Sequence, residues 1–266
     1  MNALRLKTGT ALATVVLLGG LTVAAAAKDT PTSTPLPEHL AGHGFGVPGR
    51  VVEGIAIGRM GSAIAPRVSS TCNLGVSSGA AYIVDYLAPP DDAYDTFLDP
   101  SQCGCQSGAV ELQNAHVLLN FQAACAQPVR VRIVGATSIG AGCWQPDPGT
   151  TLCGPLSYEL TPAAPGNYQF NLPLPAGCCI QGPAFLEIDF TSAGAGCDAA
   201  GTRPRLITTA TCNPCTSWNL YPGGADDLCD PFIGLPGNPV MWADGGCCSA
   251  VPTTEPSWGR IKILYR

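Results

Sequence analysis

From Thr71 onward the chain alternates apolar and polar residues in short runs, each closed off by Gly, Pro, Asn or Asp. Val129 to Val134 is the cleanest example. Val129, Val131 and Ile133 fall on one side of an extended chain, Arg130 and Arg132 on the other, as the two-residue period of a strand requires. Runs of the same kind cover Ala81–Leu87, Val110–Leu112, His116–Phe121, Leu156–Leu160, Tyr168–Leu174, Phe185–Phe190, Arg205–Thr211 and Val240–Ala243. Between them the pattern predicts an acidic loop from Pro89 to Pro100 and a hairpin-like loop between Cys143 and Cys153. No segment of useful length inside this region carries a helical period. Such spacing predicts an all-β domain, an antiparallel β-sandwich of jelly-roll type with about eight strands, each burying one face. About 180 residues are enough for a core of that kind.

The two ends obey other rules. Arg5 and Lys7 precede an apolar run, Ala11 to Val23, that ends in Ala24-Ala25-Ala26-Ala27. A charged start, a short apolar stretch and small residues predict a signal peptide over 1–27, removed after Ala27. Gly19 and Gly20 interrupt the run, so it suits export better than permanent membrane spanning. Residues 28–70, rich in Pro, Thr and Gly, predict an extended linker with an edge strand over Val51–Ile57. His39 and His43 lie within it, but Pro37, Gly42 and Gly44 oppose the helix that would bring two imidazoles to one metal. After a domain spanning 71–250, the tail 251–266 carries Trp258, Ile261, Leu264 and Tyr265 among Arg260, Lys262 and Arg266. It fits either a last packed element or a docking or retention signal.

Composition narrows the function. All 14 cysteines come after the signal, and an even count in an exported chain predicts disulfides. Those cysteines are Cys72, Cys103, Cys105, Cys125, Cys143, Cys153, Cys178, Cys179, Cys197, Cys212, Cys215, Cys229, Cys247 and Cys248. Cys143 and Cys153 flank one loop and are candidate partners. The neighbours Cys178-Cys179 and Cys247-Cys248 must each fork to two different places, because adjacent residues rarely bridge. Cys212 and Cys215, with two of Cys229, Cys247 and Cys248, form the alternative of a zinc–thiolate scaffold. A redox pair at Cys212 and Cys215 is opposed by Pro214 and by the lack of a helix to open. Between Thr71 and Ala250 only Arg130, Arg132, Arg203 and Arg205 offset fifteen carboxylates. This argues against nucleic acid and anionic membranes as partners and leaves cations open. No later stretch is long and apolar enough to span a membrane, so the mature chain is expected outside the cell, on its surface or in the periplasm.

Candidate chemistry is sparse. His116 is the predicted domain's one histidine and lies in a strand, where the expected role is packing or hydrogen bonding. No nucleophile elbow or His-Glu-x-x-His is present. Glu187 and Asp189 alternate with Leu186, Ile188 and Phe190 and share a face. They are the candidate acid–base pair of a secreted carbohydrate-active hydrolase. The simpler reading is a half-exposed strand whose charges pair across to Arg130 and Arg132. Asp226, Asp227 and Asp230 are candidate calcium ligands, as are Asp91, Asp92, Asp95 and Asp99, although neither group has EF-hand spacing. Trp144, Trp218, Asn219 and Tyr221 are candidate ligand contacts, since exposed aromatic rings can stack on sugars. The leading reading is a secreted or cell-surface, non-catalytic binding or structural module, with a glycan or a cell-envelope protein as partner.

The stretch Cys212 to Cys248 concentrates these candidates. Its Ser217-Trp218-Asn219 with Tyr221, Asp227-Leu228-Cys229, Pro236-Gly237-Asn238, Met241-Trp242-Ala243-Asp244 and Cys247-Cys248, then Trp258-Gly259-Arg260 and Leu264-Tyr265-Arg266 beyond it, resembles uncharacterised secreted bacterial cysteine-rich β-sandwich proteins. The resemblance implies export and a sandwich fold, and no activity.

Overall fold

Alternation resolves into two packed sheets in the computed structural model, which describes residues 50–57, 72–84, 92–190, 197 and 202–248. The signal sequence, most of the linker with His39 and His43, Asp91 and the tail 251–266 lie outside the described residues. In chain order the strands begin with β1 (Arg50–Glu53), β2 (Ile55–Ala56), β3 (Cys72–Gly75), β4 (Ala80–Val84) and β5 (Asp92–Leu98). They continue with β6 (Val110–Phe121), β7 (Gln127–Gly140), β8 (Cys143–Thr161), β9 (Gly166–Pro173) and β10 (Cys179–Ile180). The last are β11 (Ala184–Phe190), β12 (Arg205–Thr209), β13 (Ser217–Tyr221), β14 (Gly224–Asp227) and β15 (Met241–Cys247).

One sheet has the order β1-β8-β7-β11-β5-β13-β14. The other has β2-β9-β6-β12-β4, with β10 beside β6 on one flank and β15, then β3, on the other. Neighbours are antiparallel except β1 on β8, which run parallel. The segment from β1 to β2 therefore joins the edges of both sheets, since β2 pairs with β9. Together these elements form an all-β sandwich.

The core lies between the layers and is built from one face of each long strand. From β11 it takes Leu186 and Ile188, from β7 Val129, Val131 and Ile133, and from β6 Val117, Leu119 and Phe121. Phe121 and Phe170 fill the centre with ring centroids 5.6 Å apart. The pattern of β6 changes phase between Leu112 and Ala115, which both face the core. A bulge opposite Asp244 and Gly245 absorbs that change and keeps one strand where the sequence suggests two. At the bulge the backbone carbonyl of Glu111 occupies the space a side chain on Gly245 would need.

Two predicted loops are strands. The acidic stretch contains β5, a central strand whose Tyr94 and Leu98 are fully buried. Three aspartates within eight residues read as solvated loop because polarity outweighed the alternation of Tyr94, Thr96 and Leu98. The region between Cys143 and Cys153 belongs to β8, which bulges at Pro148, Gly149 and Thr150 while pairing with β7 on either side.

Fourteen cysteines form seven disulfides: Cys72–Cys103, Cys105–Cys247, Cys125–Cys197, Cys143–Cys215, Cys153–Cys178, Cys179–Cys248 and Cys212–Cys229. Cys143 and Cys153 are thus not partners, because β8 runs extended between them and carries the two sulfurs apart. The adjacent cysteines do fork. Cys178 reaches β8 of the seven-stranded sheet, while Cys179, in β10 of the other sheet, reaches Cys248. No thiolate is left for a tetrathiolate zinc site, since no cysteine is free.

Candidate functional site

The outer face of the seven-stranded sheet, away from the core, holds a group of buried charges on β5, β11 and β7. Strand register sets it out in rows. One row runs Trp218, Asp95, Glu187, Arg132 across β13, β5, β11 and β7. The next runs Leu220, Ala93, Asp189, Arg130 across the same strands. A third places Phe97 beside Phe185 and Phe185 beside Val134.

That face is not left to solvent. The far end of the β7–β8 hairpin folds Ala136, Cys143 and Trp144 against Phe97, Phe185, Val134 and Trp218, forming a second apolar cluster. The Cys143–Cys215 disulfide fixes this end to the residue pair preceding β13. Glu187 and Asp189 are consequently 2 % and 6 % exposed, not half-exposed as alternation alone predicts.

Burying carboxylates without compensation costs several kcal/mol each, and cross-strand arginines supply it. Both oxygens of Glu187 accept from Arg132, through Nε and Nη2. Asp189 Oδ2 accepts from Nε and Nη2 of Arg130. Arg132 also donates through Nη1 to the carbonyl of Pro148 at 3.2 Å, which ties the β8 bulge to the sheet. Burial pushes the Glu187 carboxyl above its ordinary range, against the pull of Arg132.

Asp95 has no such partner. It is 1 % exposed, and neither of its oxygens accepts a hydrogen bond. Burial, and then the charge of Glu187 beside it, hold its pKa well above the ordinary aspartate value, against the opposing pull of Arg132. The indole N–H of Trp218, opposite Asp95, is likewise buried without an acceptor.

Beside this cluster opens a cleft of about 380 Å³. Its floor is Ala93, Arg132, Glu187 and Asp189. One wall comes from Gln145, Pro146 and Pro148 of β8, the other from the β13–β14 hairpin with Leu220, Tyr221 and Gly224. The volume falls within the range of small-molecule sites, and apolar walls over a few converging polar groups are their usual composition.

The remaining sequence candidates are dispersed. Of the four ligand-contact residues only Tyr221 lines the cleft. Trp218 is buried and Trp144 half-buried in the apolar cluster, and Asn219 faces inward, donating to the carbonyl of Ala93 at 3.2 Å. Asp226 sits on β14, paired in register with Asn219. Asp227 accepts from the backbone N–H groups of Cys215 at 2.7 Å and Cys229 at 2.9 Å, so both its oxygens serve the fold. Asp230 accepts from Phe232 N–H at 2.8 Å within its own turn. Asp99 caps a short 3₁₀ turn by accepting from Ser101 N–H at 3.0 Å, while Asp95 is on the sheet. Among the described residues no group of three or more His, Cys, Asp or Glu side chains is placed to hold a metal ion.

His116 belongs to the other sheet. Its ring stacks on Trp242 with centroids 4.6 Å apart, Nε2 lies 2.9 Å from Asp244 Oδ2, and Nδ1 lies 2.8 Å from Asn171 Oδ1. Asp244 also accepts from the side chain of Asn114 at 2.9 Å. Burial alone would raise the Asp244 pKa, but hydrogen bonds from His116 and Asn114 bring it below the ordinary value. No hydroxyl or thiol joins this network, so it braces β6, β9 and β15 without forming a triad.

Sequence reasoning missed Asp95 as a floor-side residue, together with Gln145, Pro146 and Pro148. The row of Arg132, Glu187 and Asp95 depends on which strands are neighbours, and strand order is not written in any local pattern.

Fold and cleft define a class: a disulfide-braced β-sandwich domain with a roofed, charge-floored cleft on one outer face. The chain belongs to the DUF7451 family, a domain of unknown function, whose model matches residues 72–245. No curated protein matches it. Among solved structures it is similar to the cysteine protease and lectin-like domains of Cwp84, a surface layer associated protein of Clostridium difficile. That likeness is 11% identical with a TM-score of 0.43, over 67% of this chain and 36% of the other. A structure of the same clostridial protease after propeptide cleavage gives 10% identity and a TM-score of 0.45, over 67% of this chain and 40% of that one. The chain thus spans less than half the length of either. Among the described residues no helix is long and apolar enough to cross a membrane.

Proposed function

We propose that this protein is an exported, non-catalytic binding module, acting at the cell surface or outside the cell, and that its cleft takes a hydroxyl-rich ligand of the glycan class. The observation that carries this reading is the floor, where Arg132, Glu187 and Asp189 line the cleft already locked to one another or to Arg130. Fixed donors and acceptors suit hydroxyls, which both donate and accept. Tyr221 and the prolines offer an apolar surface for the flat face of a sugar ring. Low reorganisation at such a site favours binding. An exported chain with every described cysteine cross-linked is consistent with work in an oxidising setting.

A hydrolase using Glu187 and Asp189 is the second reading, favoured because both carboxylates line the cleft. Against it, both oxygens of Glu187 and Oδ2 of Asp189 accept from guanidinium N–H groups. Glycan-array binding with subsequent product analysis separates the two. The module reading expects specific retention without cleavage, and loss of retention in Tyr221→Ala. Cleavage that disappears in Glu187→Gln would favour the hydrolase, and no retention of any glycan would remove both.

A further inference from the structure

Resting on that reading of the cleft, we propose that Gly223 is a positioning residue for the ligand: by carrying no side chain, it lets the turn after Tyr221 hold that ring as a fixed plate in the cleft wall. The β13–β14 hairpin closes on the pair Tyr221 and Gly224, with Pro222 and Gly223 as its two-residue loop. Backbone geometry does not account for a glycine at 223. Its φ lies outside the left-handed region, whereas Gly140 and Gly142, at the tip of the β7–β8 hairpin, have φ of 105° and 77°. Space does account for it. A Cβ on Gly223 would stand 2.9 Å from Cε2 of Tyr221 and 3.3 Å from Cδ2, the first closer than such atoms approach. A Cβ on Gly224 would stand 3.6 Å from the Tyr221 hydroxyl. The ring therefore lies back along its own turn, one edge over Gly223 and its tip towards Gly224. An aromatic ring laid over the glycines of an edge strand, which β14 is, fixes the strand and the ring together.

The consequence reaches the ligand. Tyr221, Pro222, Gly223 and Gly224 all line the cleft, and Tyr221 is 37 % exposed. A side chain that exposed ordinarily samples several rotamers, and a ligand stacking on it must fix one at an entropic cost. Here the turn has fixed the ring before the ligand arrives. Alanine at 223 suits the backbone but not the ring. The ring, at the far end of its side chain, is the part that must give way. Gly223→Ala thus displaces the plate and leaves the sandwich beneath it intact.

The test is NMR titration of the oxidised protein with chitobiose, for the parent, Gly223→Ala, Tyr221→Ala and the two together. Before ligand is added, nuclear Overhauser contacts should join the Tyr221 ring to the α-protons of Gly223 in the parent. The Tm of Gly223→Ala should match the parent's. Gly223→Ala should bind chitobiose about five- to tenfold more weakly than the parent. It should weaken Tyr221→Ala no further, because it acts through the ring. Absence of the ring contacts in the parent would overturn this inference. So would parent-like affinity in Gly223→Ala, or a loss that adds in full to that of Tyr221→Ala, and both would leave the glycan reading of the cleft standing. No binding of chitobiose by the parent would overturn the inference together with the reading it rests on.

Discussion

Asp95 and Glu187 face each other across β5 and β11, enclosed between two hairpins, and only one of them has a cation against it. That difference makes stability depend on pH. The folded pKa of Asp95 is raised, so the native state keeps a proton that the unfolded chain releases. Stability is fully present below the ordinary aspartate range and declines as pH rises towards the folded value. Asp95→Asn removes that penalty. Its Tm at neutral pH should exceed the parent's by about 2–4 °C, and the gap should close in acid, as thermal unfolding across pH would read. Glu187 behaves differently, because its ion pair is the compensation. Arg132→Met should cost about 3–5 kcal/mol in denaturant unfolding by stranding a buried carboxylate, and Arg132→Met with Glu187→Met should recover most of it. Asp244 runs in the opposite direction to Asp95. Its folded pKa is lowered, so its contribution is present above the ordinary aspartate range and lost as pH falls through the folded value. Asp244→Asn should therefore destabilise by about 1–3 kcal/mol near neutrality and by progressively less in acid. The pairing of Glu187 and Asp189 with Arg130 and Arg132 was legible in the sequence because two alternating strands offered opposite charges on one face. Asp95 was not, because a carboxyl among Pro, Asp and Thr carries no local mark of burial.

The cleft is a product of two hairpins more than of the sheet beneath. Along β7 the alternation holds as far as Val134, and the hairpin beyond it is shaped by Gly140 and Gly142, both with positive φ, at the turn. On β8 the sequence Pro146-Asp147-Pro148-Gly149 forces the bulge that becomes a wall, stabilised as Asp147 accepts from Gly149 N–H at 3.1 Å and Thr150 Oγ1 at 2.8 Å. Cys143–Cys215 then spans the two walls, joining the end of one hairpin to the root of the other. Replacing both cysteines by alanine should cost about 2–4 kcal/mol. Amide exchange should accelerate over 136–146 while β6 and β11 keep their protection, since the core between the sheets does not depend on that link. The sequence did not place these hairpins: it put a loop between Cys143 and Cys153, where β8 runs, and no strands at β13 and β14. Which sheet face they would cover depended on the pairing of Cys143 with Cys215, 72 residues apart, and fourteen cysteines allow far too many pairings for spacing to choose one.

At the scale of the whole molecule, the two outer faces have been put to different uses. The eight-stranded sheet fills its outer side with a hydrogen-bonded network around His116 and a small cluster of Leu118, Ile207, Val240 and Trp242. On the seven-stranded sheet the outer side is roofed by hairpins and left open at one cleft. An alternating pattern reveals that a strand has two faces and which one joins the core. It does not reveal that the second face is also buried, which is why Trp144 and Trp218 read as ligand contacts and prove to be packing. Whether a glycan binds in the cleft is tested most directly by amide and side-chain chemical-shift mapping during titration with chitobiose. The expected outcome is a cluster of perturbations at Ala93, Arg132, Gln145, Glu187 and Tyr221, with His116 and Trp242 unmoved. Perturbations gathered around His116 and Trp242 instead, with the cleft silent, would contradict it.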